Sequence, residues 1–317
     1  MTTMPTKTLG QTGVQLTTVG MGCAWMGADG RGNIDQEVGV RTILTALEGG
    51  VRFLDTAQGY MNTLSETLVG RALAAFPERD RVVVQTKIGH LPNPFPWTAD
   101  AVRRAADDSF ERLGLGRIEL LYLHDVPVEL RDRVLGPGGA LEGARALQQQ
   151  GVVGHVGIAN NLPEDNWPYI RTGEFEIAVV PEAYSLLNQT AVEEIFPAAE
   201  RLGMGIVVAV PLEKGLLATG ATGQTLYPQR HFSGELLAHV ARMEEVCRKH
   251  GVSLLAAALQ FLTRHPVVAA SIPGARTPEE ARANAAAAHE RIPEAFWQEL
   301  QPLVKNWDRQ QHRQVSL

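Results

Sequence analysis

With 317 residues, 44% of them hydrophobic, the chain can bury one large core, and no window approaches the ~18 consecutive apolar residues of a membrane span. Lys and Arg number 29 against 35 Asp and Glu, and the net charge of −6 excludes the basic footprint of a nucleic-acid or anionic-membrane partner. Met1 to Thr8 lack a signal-peptide apolar core, and the two cysteines, Cys23 and Cys247, stand far apart without metal-ligand companions, so a cytoplasmic chain with free thiols is expected.

Leu9 to Thr18 reads as two short extended pieces around Gly13, an N-terminal hairpin. Strand-like and helix-like runs then alternate. Val19-Gly20-Met21 precedes a helix from Gln36 to Glu48, stopped at Gly49-Gly50, and Phe53-Leu54 precedes Ser65 to Ala75, with its stripe of Leu68, Val69, Ala72 and Leu73. Val82-Val83-Val84 precedes Thr98 to Leu113, with Thr98 as a start and Gly114 as a stop. Glu119 to Leu123 precedes Leu141 to Gln150, Val153 to Ile158 precedes the stretch after Pro163, and Ile177 to Val180 precedes Ala191 to Leu202. Gly205 to Val210 then precedes Leu236 to His250, and Val267 to Ile272 precedes Pro278 to His289.

Parallel strands need crossover helices, and eight such units close a sheet on itself, so the expected fold is a (β/α)8 TIM barrel. It should carry the N-terminal β-hairpin and an extra C-terminal helix, as one domain spanning residues 1–317. The rival is an open doubly wound sheet. Its dinucleotide fingerprint fails, because Gly20-Met21-Gly22 is followed by Trp25 where a third glycine belongs. The loops after barrel strands form the working face, and Lys214 to Ser233 is long enough to act as a flap over a ligand.

Asp55, Lys87 and His124 each end an apolar run, and Tyr60 follows the first of them. Taken singly each has a plainer role: packing for the tyrosine, a solvated cation for the lysine, a turn cap for the aspartate, a satisfied core histidine. Together, at the ends of successive parallel strands, they converge on one rim. A phenol is a poor proton-transfer group at neutral pH, with its pKa near ~10. A neighbouring ammonium favours the phenolate, and a carboxylate keeps that ammonium aimed, so Lys87 held by Asp55 is expected to lower the Tyr60 pKa. His124 can orient a substrate oxygen. Without a Ser or Cys nucleophile or a metal-ligand triad, the group suits hydride transfer with an external carrier better than hydrolysis.

The run Gly50-Val51-Arg52-Phe53-Leu54-Asp55-Thr56-Ala57, with Ser65-Glu66 and Leu68-Val69-Gly70, resembles the signature of the aldo-keto reductase superfamily. The resemblance extends from Leu9-Gly10-Gln11-Thr12-Gly13 to Ile272-Pro273-Gly274-Ala275-Arg276, and Asp55, Tyr60, Lys87 and His124 match the family's catalytic tetrad. It implies NADP or NAD bound across the C-terminal rim. Asn160 would hold the nicotinamide carboxamide, although Ala159 replaces the usual serine. Pro211, Leu212, Gly215 and Leu217 would wrap the pyrophosphate through backbone N–H groups. Gly22, Ile272, Gly274, Arg276, Glu280 and Asn284 complete the implied cofactor site. Arg276 suits a 2′-phosphate, while a carboxylate at Glu280 would repel one and accept from a ribose hydroxyl, so the two signals oppose each other. Ala209 replaces an aromatic that often stacks on the nicotinamide, leaving Tyr184 as a substitute.

Within the family, Asn62-Thr63-Leu64-Ser65-Glu66, His124-Asp125 and Tyr184-Ser185-Leu186-Leu187-Asn188-Gln189 look most like the L-fucose, D-threo-aldose and L-galactose dehydrogenases, which oxidise the anomeric hydroxyl to a lactone. Substrate contacts are then expected from Trp25, Met61, Trp97 and Asp125. The alternatives are an aldehyde or ketone reductase, a pyridoxal dehydrogenase on the same tetrad, or a non-catalytic cofactor-binding subunit of the potassium-channel beta type. A small-molecule substrate is the expected partner, with the chain a monomer or small homo-oligomer.

Overall fold

The computed structural model describes residues 4–222 and 230–315. β1 (Thr6–Thr8) and β2 (Gln15–Thr17) pair antiparallel, giving the expected hairpin. Gly10 takes a left-handed φ of 52° in its turn, where a Cβ would stand 2.4 Å from the Gly205 nitrogen, so only glycine lets the hairpin seat there.

The alternating units follow: β3 (Met21–Gly22), α1 (Gln36–Glu48), β4 (Phe53–Asp55), α2 (Leu64–Ala75), β5 (Val83–Ile88), α3 (Ala99–Leu113) and β6 (Ile118–His124). After them come α4 (Arg131–Leu135), α5 (Ala140–Gln149), β7 (Val153–Ala159), α6 (Pro163–Ile170), β8 (Ile177–Pro181), α7 (Ile195–Leu202), β9 (Gly205–Ala209) and α8 (Leu216–Thr219). The last part runs β10 (Arg230–Phe232), α9 (Gly234–His250), α10 (Leu254–Arg264), β11 (Val268–Ile272) and α11 (Pro278–Ala287). It ends with α12 (Glu294–Leu300), α13 (Arg309–His312) and β12 (Arg313–Val315).

Eight strands form one parallel sheet, in the order β11-β9-β8-β7-β6-β5-β4-β3. Its edges meet: Gly20 N–H donates to the Ser271 carbonyl at 2.8 Å, and Gly22 N–H to that of Pro273 at 2.9 Å. The result is a (β/α)8 barrel. Along β6, Leu120, Tyr122 and His124 point inward while Leu121 and Leu123 join the outer core against the helices, the period of two that a strand imposes. Leu9 and Leu16 of the hairpin pack with Phe53, Leu120, Tyr122 and Val207, stoppering the end of the barrel away from the strands' C-termini.

Asp35 caps α1 through Val38 N–H, and Thr98 caps α3, which Gly114 stops in a left-handed conformation. Some elements differ from expectation, among them the short helix α4, which the sequence pattern does not contain. Helix α7 begins only at Ile195, after a 3-10 turn at Thr190–Val192. Two helices, not one, precede the last strand: Gly251 ends α9 and Ser253 caps α10. The expected C-terminal helix is α12. In the long Lys214–Ser233 stretch lie α8 and β10, the latter paired with β12, while residues 223–229 of the proposed flap lie outside the described residues. No described helix is long and apolar enough to cross a membrane.

Candidate active site

Asp55 is the last residue of β4, His124 the last of β6, and Lys87 the penultimate residue of β5, so the parallel register puts all three on one rim. Tyr60 reaches the same place from the turn after β4, where its N–H donates to the Ala57 carbonyl at 3.1 Å. The next three residues, Met61, Asn62 and Thr63, hold left-handed φ values of 50°, 51° and 71° before α2 starts. Such conformations are costly for non-glycine residues, and the turn is clamped from below: Ser65 Oγ donates to the Cys23 carbonyl at 2.6 Å and meets Thr56 Oγ1 at 2.6 Å.

Lys87 is buried and has a partner for each ammonium hydrogen. It donates to Asp55 Oδ1, to the Thr56 carbonyl at 2.9 Å, and to the Tyr60 hydroxyl at 3.0 Å. The Lys87 Nζ also lies 4.4 Å from the centre of the Tyr60 ring. Burial pulls the ammonium down, but Asp55 first and Tyr60 second outweigh it, leaving Lys87 above its ordinary value and firmly charged.

The phenol corrects the sequence-based expectation. Burial pushes Tyr60 up to about 12, and Lys87, the largest opposing influence, recovers only part of that rise. Lys87 therefore acts in the expected sense without bringing the phenol below its usual range. His124 goes the other way: burial first, then the Lys87 charge, lower it to about 3, so the imidazole is neutral across the physiological range. Its Nδ1 is buried without a hydrogen-bond partner.

Three residues complete the surroundings: His90, which opens the loop to Trp97 expected to line the substrate pocket, and Asn161 and Gln85, which the sequence did not single out. His90 stacks on His124, with centroids 4.4 Å apart and planes 20° apart, and donates from Nε2 to Asp125 Oδ2 at 2.9 Å. Asn161 donates its backbone N–H to Asp125 Oδ1 at 3.0 Å and its Nδ2 to Oδ2 at 2.9 Å. Burial alone would raise Asp125, but the hydrogen bond from His90 leads the influences that hold it below the usual carboxylate range. Asp125 is thus a fixed, half-buried anion whose Oδ2 is 3.8 Å from His124 Nε2. His90, His124 and Asp125 bring three potential metal-ligand atoms within 4.8 Å of one another, a grouping their spacing did not reveal. The third residue is Gln85, which donates from Nε2 to Asp55 Oδ1 at 2.6 Å.

The other predicted residues divide. Trp25 is 54% exposed and Met61 half-buried at the rim. Trp97, at 4% exposure, packs edge-to-face on Phe95 at 5.0 Å and against Gly89, a core position rather than a pocket wall. Asn160 is 1% exposed and both its amide hydrogens are used: its Oδ1 accepts from Val126 N–H, and its Nδ2 donates to the Val126 and Asp165 carbonyls. It clasps β6 to α6, with no hydrogen left for a carboxamide. Tyr184 is packed between Phe196 and Phe261 and presents no face for stacking.

At the end of β9, Val210, Glu213, Lys214 and Gly215 take φ values of 55°, 50°, 54° and 103°, curling the backbone into a tight turn. The N–H groups of Gly215 and Leu217 both close on the Leu212 carbonyl, so fewer donors face outward than the sequence implied, and Pro211 has none. A Cβ on Gly215 would meet nothing within 4 Å, and one on Gly274 only the Gly22 carbonyl at 4.0 Å. Gly22 and Ile272 serve barrel closure there through backbone contacts. Arg276 lies beside this shelf, but Glu280 accepts its backbone N–H at 2.7 Å and its guanidinium at 3.2 Å. Asn284 Nδ2 donates to the Gly274 carbonyl at 3.1 Å, bracing the same turn. An open shelf with two flanking cations, Lys214 paired with Glu182 and Arg276 paired with Glu280, fits an extended dinucleotide.

A cavity of about 310 Å³ opens beside Asp125, lined by Val126, Asn160, Asn161 and Leu162. A larger one of about 490 Å³ lies at the opposite end, between the hairpin and the starts of β5 and β6. Neither cavity is lined by Asp55, Tyr60, Lys87 or His124; the first reaches their rim only through Asp125.

The description "Aldo/keto reductase family" belongs to the family model that matches residues 18–305. The pyridoxal 4-dehydrogenase of Microbacterium luteolum is 30% identical, over 93% of this chain and 96% of that protein. The D-threo-aldose 1-dehydrogenase of a Pseudomonas species is 32% identical, over 91% and 94%. Among solved structures, an aldo-keto reductase of Bacillus halodurans in its holo form superposes with a TM-score of 0.78 at 25% identity, covering 98% of this chain and all of the other, 100%.

Proposed function

The chain belongs to the aldo/keto reductase family of NAD(P)-dependent oxidoreductases, and on that premise we propose that it oxidises the anomeric hydroxyl of an aldose to a lactone. The observation that carries this reading is the line of contacts from Asp55 through Lys87 to the Tyr60 hydroxyl, set beside the neutral His124 and the fixed Asp125. A nicotinamide dinucleotide held along Gly215, Gly274 and Asn284 would supply the hydride acceptor for C1. Tyr60 exchanges the hydroxyl proton, and His124 orients the oxygen from the other side. Because the phenol sits at about 12, Tyr60 is a ready proton donor for carbonyl reduction, while oxidation gains as the pH rises. Asp125, aimed by His90 and Asn161, accepts from a hydroxyl next to the reacting carbon, which a sugar has and a simple alcohol lacks. The similarity to a D-threo-aldose 1-dehydrogenase supports the same substrate class.

For the cofactor, Gly215, Gly274 and Asn284 would line the dinucleotide shelf. NAD is the preferred form in this reading, since Glu280 already neutralises Arg276 and adds a carboxylate where a 2′-phosphate would lie. A second reading, oxidation of a pyridoxal-type alcohol or aldehyde, draws on the Microbacterium relative and on Trp25, whose exposed ring offers a flat face at the rim.

Initial rates decide between them. L-fucose, L-galactose, D-arabinose, pyridoxal and a simple alcohol are each offered with NAD⁺ and with NADP⁺. Aldose-dependent reduction, faster with NAD⁺, is expected. Turnover confined to pyridoxal or to the simple alcohol would replace the aldose reading with the second one.

A further inference from the structure

Gln85 lies inside the barrel, two residues before Lys87 on the same face of β5, and directly opposite Asp55 in the register of β4 and β5. It is completely buried, at 0% exposure. Its Nε2 donates to Asp55 Oδ1 at 2.6 Å, and this is the same oxygen that accepts from Lys87. Its Oε1 is buried and accepts no hydrogen bond. A half-satisfied amide is a poor choice for filling core space, because an apolar side chain of similar length would pack there without stranding a carbonyl. The one polar contact the amide does make is onto the carboxylate.

We infer that Gln85 is a positioning residue for the reaction, holding the Asp55 carboxylate from beneath so that Lys87 is aimed at the Tyr60 hydroxyl. The inference rests on the tetrad reading above. The chain of action runs from amide to carboxylate to ammonium to phenol. Asp55 has its backbone fixed at the end of β4, where its carbonyl accepts from Cys23 N–H at 2.8 Å. Its side chain still has torsional freedom, and a second donor on Oδ1 removes it. Without that donor the carboxylate rotates with the ammonium, and the contact at the far end, 3.0 Å from Lys87 Nζ to the phenol, loosens. Gln85 touches neither substrate nor cofactor, so its loss is felt in kcat and in the pH profile rather than in binding.

The test uses the 317-residue protein and five variants. Gln85→Met keeps the length and removes the donor. It is expected to lower kcat for alcohol oxidation about ten- to a hundredfold, to move the basic limb of the kcat profile upward, and to leave cofactor Kd, read from tryptophan fluorescence, within about twofold. Gln85→Glu keeps the shape and can donate only while protonated, so its rate for carbonyl reduction falls as the pH rises. In the Asp55→Asn background, Gln85→Met adds little, because a residue that acts through Asp55 has nothing left to act on. Additive losses in the double variant, or a loss of cofactor affinity parallel to that of kcat, would overturn the inference and make Gln85 a general packing residue. Tyr60→Phe is assayed alongside. If it stays active, the tetrad reading itself fails; if it is inactive while Gln85→Met matches the parent in rate and profile, only the role of Gln85 falls.

Discussion

Lys87 has its three hydrogens directed at a carboxylate, a carbonyl and a phenol, and burial makes each of these contacts count. The two proton-handling rings beside it are shifted in opposite senses, Tyr60 up to about 12 and His124 down to about 3, so each stays neutral near pH 7. The sign for His124 is that protonation is disfavoured by burial and by the Lys87 charge, so it remains unprotonated until well below its ordinary value of 6.5. The log of kcat for carbonyl reduction is therefore expected to carry no step near pH 6.5 that disappears in His124→Asn; oxidation should rise on the alkaline side as Tyr60 ionises. A step near 6.5 lost in that variant would show that the imidazole titrates in the working enzyme. Asp55, Lys87 and His124 were legible in the sequence because each closes an apolar run. The roles of His90 and Asn161 were not, since they hold Asp125 from positions 35 and 36 residues away. Gln85 was hidden inside a strand whose pattern marks it only as inward-facing.

Among the elements, the helices that announce their ends were readable. Thr98 and Gly114 bracket α3, and α1 matches its expected bounds. Helix α10 was missed although Gly251 and Ser253 mark its start, because the sequence pattern ends one helix at His250 and assigns nothing to the Leu- and Ala-rich run before the last strand. The α10–β11 turn has a further support from a distant element. The Lys7 ammonium of the hairpin lies within hydrogen-bond reach of four carbonyls, those of Thr263, His265, Pro266 and Val268, at 3.0, 3.0, 3.3 and 2.6 Å, and its three hydrogens are shared among them. A cation at a helix C-terminus is favoured by the helix dipole, and hydrogen bonds from a charged donor are worth about 1.5–3 kcal/mol. Lys7→Met is expected to lower the thermal midpoint by a few degrees without changing KM for substrate or cofactor. An unchanged melt would show that the ammonium is equally well served by water.

At the scale of the molecule, barrel closure makes the site. The strand ends carry Asp55, Lys87 and His124 to one rim, and the backbone contacts of Gly20 and Gly22 with Ser271 and Pro273 bring the turn at Gly274, proposed to take the cofactor, to the same rim. Strand count and order were legible because alternation is a local signal. The fates of Asn160, Trp97 and Tyr184 were not, because a motif position does not reveal whether neighbouring loops have already claimed its hydrogen bonds or its faces. In the proposed reaction Tyr60 moves the proton while the cofactor is held elsewhere, and this is the division of labour on which the reading rests. It is tested most directly by measuring turnover and cofactor Kd together for Tyr60→Phe, with the substrate the parent uses fastest. The expected result is a loss of about 10²–10⁴-fold in kcat, the range for a general acid–base group, with Kd unchanged. Turnover retained within a few-fold of the parent would contradict it.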